Sequence, residues 1–141
     1  MRAGLLVVAL AFASAAWAKD TPSTLVKHVD DAPVYEIAKG KATVIMLTDG
    51  QAYMGILTGK PGLVVPEHVH ADETEMLYVM EGGGWMTIDG KRQTVSAGMA
   101  IQVPPGVKHS FEIPADWKGK DFRAVQVYTP TGPQLRFKKG K

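Results

Sequence analysis

The chain has 141 residues, of which 45% are hydrophobic and 21% charged, and its formal net charge at pH 7 is +2. This length fits one domain, and the composition excludes a disordered, collagen-like or coiled-coil chain. The near-neutral charge offers no extended basic surface, so nucleic acid is not an expected partner. The absence of Cys excludes thiol catalysis, iron–sulfur clusters, thiolate zinc sites and disulfide bonds.

Residues 1–18 are predicted to be a signal peptide. Arg2 supplies the positive start, an apolar run covers residues 3–13, and residues 16–18 (Ala-Trp-Ala) have the small-x-small pattern that signal peptidase cleaves. The apolar stretch is shorter than the roughly 20 residues that span a bilayer, and no Cys follows it for lipid attachment. We therefore expect a periplasmic or secreted protein without a stable membrane anchor.

The following part of the chain predicts β-strands separated by tight turns. Short β-branched and aromatic runs alternate with Gly, Pro and Asp, and no stretch keeps a helical apolar period over a dozen residues. The predicted strands cover residues 34–37, 42–47, 52–57, 63–65, 76–80, 85–88, 99–103, 108–113 and 122–128. Asp89-Gly90 is the best hairpin signal, since a type I′ turn requires positive φ at two positions. The pattern favours an antiparallel sandwich or a jelly-roll barrel.

Metal-ligand residue types concentrate in one part of the chain. His68 and His70 stand at i and i+2, so on a strand their imidazoles share one face. Glu75 follows a polar turn and directly precedes the predicted strand 76–80, and His109 follows a Pro-Pro-Gly turn. Imidazole and carboxylate donors suit Fe, Mn, Ni, Cu, Co or Zn, so the sequence predicts a transition-metal site. His28, the fourth His, is expected on the surface.

The spacing of these residues resembles the two sequence motifs of the cupin family. The first motif is matched by Gly62, His68, His70, Glu75 and Gly82, which are separated by five, one, four and six residues in turn. The second motif is matched by Gly98, Pro104, Gly106 and His109, which are separated by five, one and two residues in turn. Fifteen residues separate the motifs, as in small microbial single-domain cupins. The second motif usually ends in Asn, and Ile113 replaces it here without affecting the ligands.

The resemblance implies a small single-domain cupin, an all-β double-stranded β-helix or jelly-roll barrel. It also implies that one divalent transition metal (Fe, Mn, Cu, Ni or Zn) is held by His68, His70, Glu75 and His109. One or two coordination positions would stay open, which a catalytic metal needs and a structural metal does not. The glycines of the two motifs are expected at turns where φ is positive.

Four segments follow from these patterns: a signal peptide over residues 1–18, a lead-in over 19–31, the cupin barrel over 32–129 and a tail over 130–141. The tail is basic because it carries Arg136, Lys138, Lys139 and Lys141. We expect it to be a loosely held end whose charges keep the chain soluble rather than bind a ligand.

Strand alternation predicts the walls of a pocket beside the metal. Leu77, Phe111 and Ile113 are expected to line it, because they share a face with the ligands of their strands. An ordinary β-core accounts for the same alternation equally well. No catalytic group is identified, and the candidates beside the site are Glu73, Gln126 and Tyr128.

Two functions remain open. The first is a metalloenzyme acting on a small organic oxygen substrate, with dioxygenase-type oxidoreductase chemistry favoured over isomerase or decarboxylase chemistry. A pocket without a nearby Lys or Arg favours organic acids, enols or aromatic diols over phosphorylated sugars. The alternative is a non-catalytic periplasmic module that binds metal or a small ligand. For either function, the open sheet edges of a jelly roll favour a homodimer.

Overall fold

The computed structural model describes residues 26–139, and the predicted signal peptide lies outside the described residues. The strands are β1 (Val34–Ile37), β2 (Ala42–Asp49), β3 (Tyr53–Gly59), β4 (Val64–His68), β5 (Thr74–Glu81), β6 (Gly83–Ile88), β7 (Lys91–Ser96), β8 (Ala100–Val103), β9 (His109–Glu112) and β10 (Phe122–Thr129). Short 3-10 helices cover Val29–Asp31, Ala38–Gly40 and Pro133–Lys139. No helix among the described residues is long and apolar enough to cross a membrane.

The strands form two antiparallel sheets that enclose the core. The larger sheet has the order β1-β2-β3-β10-β5-β8, and the smaller has the order β4-β9-β6-β7. The last strand, β10, lies between β3 and β5, so neighbours in space are far apart in sequence, as in a jelly roll. The predicted all-β double-stranded β-helix is therefore confirmed.

Side-chain alternation along β10 determines which residues face the barrel interior. Phe122, Ala124, Gln126 and Tyr128 are buried, whereas Arg123 between them is exposed. The strand pairs with β3 along one edge and with β5 along the other, so its register is fixed on both sides. The inward-facing side chains of β10 therefore lie at defined positions opposite those of β5.

Strand β7 is not among the nine predicted strands, because its sequence lacks apolar alternation. Val95 is its buried residue, and the others are exposed. The preceding turn explains the pairing: Asp89 and Gly90 have φ of 48° and 72°, as a type I′ hairpin requires. The predicted hairpin is confirmed, and it holds β7 against β6.

The C-terminal 3-10 helix, Pro133–Lys139, packs against the barrel, so the expectation of a loosely held tail is wrong. Phe137 is 5% exposed, and its ring centroid lies 6.1 Å from that of Tyr53. Gln134 is also buried, and its Nε2 donates a 2.7 Å hydrogen bond to Oδ1 of Asp49 at the end of β2. Burying a large aromatic ring contributes about 2–3 kcal/mol, and the basic side chains of the helix can stay in solvent while the ring is buried.

The glycines of the two motifs adopt positive φ as expected, at Gly62, Gly82, Gly98 and Gly106. Two of them differ in what surrounds them. At Gly82 an added Cβ would lie 2.5 Å from the carbonyl oxygen of Asp121, whereas at Gly98 nothing lies within 4 Å. Gly82 is therefore required both for its positive φ and for close packing, whereas Gly98 is required for its positive φ alone.

Gly82→Ala is expected to lower the free energy of unfolding by about 2–5 kcal/mol, because a left-handed penalty of about 1–2 kcal/mol adds to overpacking of about 1–3 kcal/mol. Gly98→Ala is the matched control and should lose only the left-handed penalty. Urea denaturation of both variants measures the difference. Equal losses would contradict the close approach of Asp121 to Gly82.

Candidate metal centre

Both sheets contribute side chains to one cluster inside the barrel. His68 ends β4 and pairs with His109 at the start of β9, in the smaller sheet. Glu75 lies on β5 of the larger sheet, opposite Tyr128 of β10. His70 lies in the turn after β4, and its carbonyl oxygen accepts a 2.7 Å hydrogen bond from the backbone N–H of Gly106. Strand pairing therefore brings together residues that are up to 41 positions apart in the sequence.

The structure brings the four predicted ligands together. Each offers one donor atom, and these atoms lie within 4.8 Å of one another. His70, Glu75 and His109 are buried, whereas His68 is half-buried and borders the cavity described below. The imidazole ring centroids lie 4.1 to 5.1 Å apart. This is a compact set of three nitrogen donors and one oxygen donor.

Backbone carbonyl groups determine which nitrogen of two imidazoles faces the centre. Nδ1 of His68 lies 2.8 Å from the Pro66 carbonyl oxygen, and Nδ1 of His109 lies 2.9 Å from that of Val107. A carbonyl can only accept, so each Nδ1 carries the proton and donates it. Nε2 is then the ligand atom that faces the centre, which is the usual arrangement for histidines that bind metals. In the metal-free cluster Nε2 of His109 donates a hydrogen bond to Oε2 of Glu75, and metal binding would displace this proton.

The two oxygens of Glu75 have different environments. Oε1 accepts hydrogen bonds from Nε2 of Gln126 at 2.7 Å and from the Tyr128 hydroxyl at 3.2 Å. Oε2 faces the imidazoles, 3.0 Å from Nε2 of His109 and 3.3 Å from Nε2 of His70. Burial alone would raise the pKa of Glu75, but the hydrogen bonds from Nε2 of His109 and from the Gln126 amide hold it well below its usual range. The carboxylate is therefore ionised, with Oε2 directed at the cluster.

The burial of the cluster provides a test of whether it suits a metal ion. Nε2 of His70 is buried without a hydrogen bond partner, because its contact with Glu75 lacks the alignment of a hydrogen bond. A buried polar atom left unpaired costs about 1–3 kcal/mol. A divalent ion would accept this lone pair together with the other three donors. The cluster therefore suits a metal ion, and its nitrogen and oxygen atoms can bind Fe, Mn, Cu, Ni or Zn.

A cavity of about 450 Å³ opens beside the cluster. Leu77 and Phe111 line it, in agreement with the alternation argument. Ile113 also faces inward, but it lies in the core against Leu63, outside the cavity lining. The alternation of side chains predicted that Ile113 faces inward, but not how far along the barrel it lies. The expectation that Ile113 lines the cavity is therefore corrected.

The three catalytic candidates lie in different places. Gln126 and Tyr128 line the cavity and contact the carboxylate of Glu75 directly. Glu73 lies outside the cavity lining, in the turn before β5, where its Oε2 accepts a 3.4 Å hydrogen bond from the backbone N–H of Asp72. The structure therefore separates Glu73 from the cluster.

Two residues of the cavity wall were missed by sequence reasoning, and the expectation that no Lys or Arg lies near the pocket is wrong. Arg136 and Lys139 of the C-terminal 3-10 helix line the cavity. Nη2 of Arg136 donates a 3.2 Å hydrogen bond to the Tyr128 hydroxyl. The sequence signal for this contact is Phe137, because an aromatic residue in an otherwise basic tail can anchor the tail to the barrel.

Gln126→Leu is expected to weaken metal binding about 10- to 100-fold, as is typical for groups that orient a metal ligand. The variant removes the shortest hydrogen bond to Oε1 of Glu75 and keeps a similar volume. Titration with Zn²⁺ against a competing chelator measures the affinity. Gln102→Leu on the exposed surface of β8 is the matched control and should bind Zn²⁺ as the unmodified protein does. Equal affinities in both variants would contradict the role given to Gln126.

Comparisons with known proteins agree with this geometry. Residues 55–118 match the family model described as the cupin domain. The chain is 34% identical over 58 residues to quercetin 2,3-dioxygenase from Bacillus subtilis, covering 41% of this chain and 17% of the relative. It is 28% identical over 82 residues to polyketide synthase CurC from Streptomyces cyaneus, covering 58% of this chain and 51% of that protein. The matched regions thus span less than two thirds of either relative.

A solved structure shows the same fold. An RmlC-like cupin from Shewanella frigidimarina superposes with a TM-score of 0.67 at 20% sequence identity, covering 80% of this chain and 96% of that one. The two jelly-roll sheets and the grouped residues of both motifs agree with the similarity of residues 55–118 to the cupin domain.

Proposed function

We propose that this protein is an exported metalloenzyme that acts on a small organic oxygen substrate by dioxygenase-type or related chemistry. The observation that carries the proposal is a buried cluster of three imidazoles and one carboxylate beside a cavity of about 450 Å³. Structural metal sites are closed by their protein ligands, whereas catalytic sites keep a position open to a substrate. His68, Glu75 and His109 all border the cavity, so a ligand in the cavity can reach the centre.

The chain's own residues have separate tasks in this proposal. A bound divalent metal would supply Lewis-acid polarisation or redox chemistry. His68, His70, Glu75 and His109 would hold it. Gln126 and the Tyr128 hydroxyl fix the Glu75 carboxylate through Oε1. The apolar cavity wall limits the access of water and favours the body of an organic compound.

The names of the relatives support this substrate class. One relative is a quercetin 2,3-dioxygenase and another is a polyketide synthase, both of which names refer to organic oxygen compounds. Export to the periplasm or the medium is supported by the signal-peptide pattern of residues 1–18. A homodimer is supported by the sheet edges, where β1, β8, β4 and β7 each have one unpaired side within the described chain.

Dioxygen uptake tests the proposed reaction. The protein is loaded separately with Fe(II), Mn(II) and Cu(II) and incubated with catechols, β-diketones and oxalate-like acids, while dioxygen and the organic compound are both followed. At least one metal is expected to support uptake that matches the loss of one substrate class. Tight stoichiometric metal retention without turnover of any compound would contradict an enzyme and favour the non-catalytic binding module.

A further inference from the structure

The cavity wall carries cations that the metal centre does not use. Within residues 26–139, the Arg and Lys side chains that line the cavity are Arg136 and Lys139, both from the C-terminal 3-10 helix Pro133–Lys139. Arg136 forms no ion pair with an acidic side chain in this range. A guanidinium beside an apolar cavity, without an acidic partner in the described chain, is suited to bind an anionic ligand.

One hydroxyl group links Arg136 to the metal centre. Nη2 of Arg136 donates a 3.2 Å hydrogen bond to the Tyr128 hydroxyl, which donates a 3.2 Å hydrogen bond to Oε1 of Glu75. A guanidinium has five N–H donors, and the Tyr128 hydroxyl is the acceptor that the described residues provide for it. Its other donors are therefore left for solvent or for a ligand close to the centre.

The backbone that carries Arg136 is anchored on both sides. Phe137 is buried against Tyr53, and Gln134 is buried and hydrogen-bonded to Asp49. Lys138 also pairs with Asp49, which lowers the pKa of this carboxyl group together with the Gln134 amide. The guanidinium is thus presented from a packed element and not from a mobile end, as a specific binding group requires.

We propose that Arg136 binds the carboxylate of an organic acid whose second oxygen group reaches the metal centre. This inference rests on the proposed function and specifies its substrate class. A carboxylate matches the planar fork of a guanidinium with two parallel hydrogen bonds, which are stronger than a bond to a neutral hydroxyl. Three neutral imidazoles and one carboxylate leave a divalent ion with one positive charge, so the ion and Arg136 both attract an anionic compound.

The apolar wall of the cavity defines the body of the acid. Leu57, Leu77, Phe111 and Phe122 belong to this wall. An aromatic or branched aliphatic body fits such a wall, whereas a polyhydroxylated body would leave its hydroxyl groups without partners. The ligand class is therefore an apolar carboxylic acid with a second oxygen donor, such as a diol or keto group.

Titration of the zinc-loaded protein with two matched probes tests this inference. The probes are 3,4-dihydroxyphenylacetate and its neutral amide, and Zn²⁺ is used because it has no redox chemistry with the diol. The acid is expected to bind about tenfold more tightly than the amide, as a charge-assisted pair would give. In Arg136→Gln the two probes should bind within about twofold of each other, and Arg136→Lys should restore part of the preference.

Arg123→Gln on the exposed face of β10 is the matched control and should keep the full preference. Zinc content and the thermal midpoint of each variant show whether the site is intact. The inference is overturned if the zinc-loaded unmodified protein binds the acid no more tightly than the amide, or if Arg136→Gln keeps the preference. Failure of the protein to retain zinc would instead contradict the proposed function. The preference of the metal-free protein for the acid over the amide would then still decide the role of Arg136.

Discussion

His109→Ala is expected to reduce the metal content from about one ion per chain to almost none after dialysis. Zinc sites with four protein ligands bind Zn²⁺ with a free energy of about 10–16 kcal/mol. The loss of one of these ligands is expected to weaken Zn²⁺ binding about 100- to 1,000-fold. The effect should be strong because Nε2 of His109 lies 3.0 Å from Oε2 of Glu75 at the middle of the cluster. Elemental analysis of reconstituted protein measures the result.

His28→Ala is the matched control for this variant. His28 is exposed and outside the cluster, so its removal should leave metal content unchanged. Circular dichroism and the thermal midpoint of the metal-free forms show whether His109→Ala still folds. Stoichiometric and tight metal binding by folded His109→Ala protein would show that the ligand set is assigned incorrectly.

Phe137→Ala is expected to lower the free energy of unfolding by about 3–5 kcal/mol, the range for removing a buried Phe side chain. Phe137 is 5% exposed and packs against Tyr53 in the core. Leu135 belongs to the same 3-10 helix but is 50% exposed, so Leu135→Ala should lose less than about 1 kcal/mol. Urea denaturation of both variants measures the difference.

The same variant also affects the cavity. Without the Phe137 anchor, the helix should release Arg136 from the Tyr128 hydroxyl, to which it donates a hydrogen bond. Phe137→Ala is therefore expected to lose the preference for the acid over the amide together with stability. Unchanged stability in Phe137→Ala would mean that the tail is loosely held after all.

Local sequence spacing was sufficient to predict which four metal-binding residue types lie together in the structure. The spacing of His68, His70 and Glu75 keeps three of the four grouped residues close in sequence, although β4 ends at His68 and His70 lies in the turn after it. The spacing of the second motif added His109, whose strand pairs with that of His68. The hairpin at Asp89-Gly90 was equally visible, since its turn chemistry is local.

Contacts between distant parts of the chain were not predictable in the same way. Gln134 and Lys138 bind Asp49 across 85 and 89 positions, and no local pattern encodes such a pairing. The position of Arg136 at the cavity depends on these contacts. Ile113 shows a related limit, because a period of two predicts the face of a residue but not its depth in the barrel.

One divalent metal is expected to bind beside the cavity to His68, His70, Glu75 and His109. X-ray absorption spectroscopy of the protein reconstituted with one equivalent of Zn²⁺ identifies the ligands directly. The expected shell has three imidazole nitrogens and one carboxylate oxygen at about 2.0–2.2 Å, with one or two further oxygens from solvent. A shell made only of oxygen atoms, or one with fewer than two imidazoles, would contradict it.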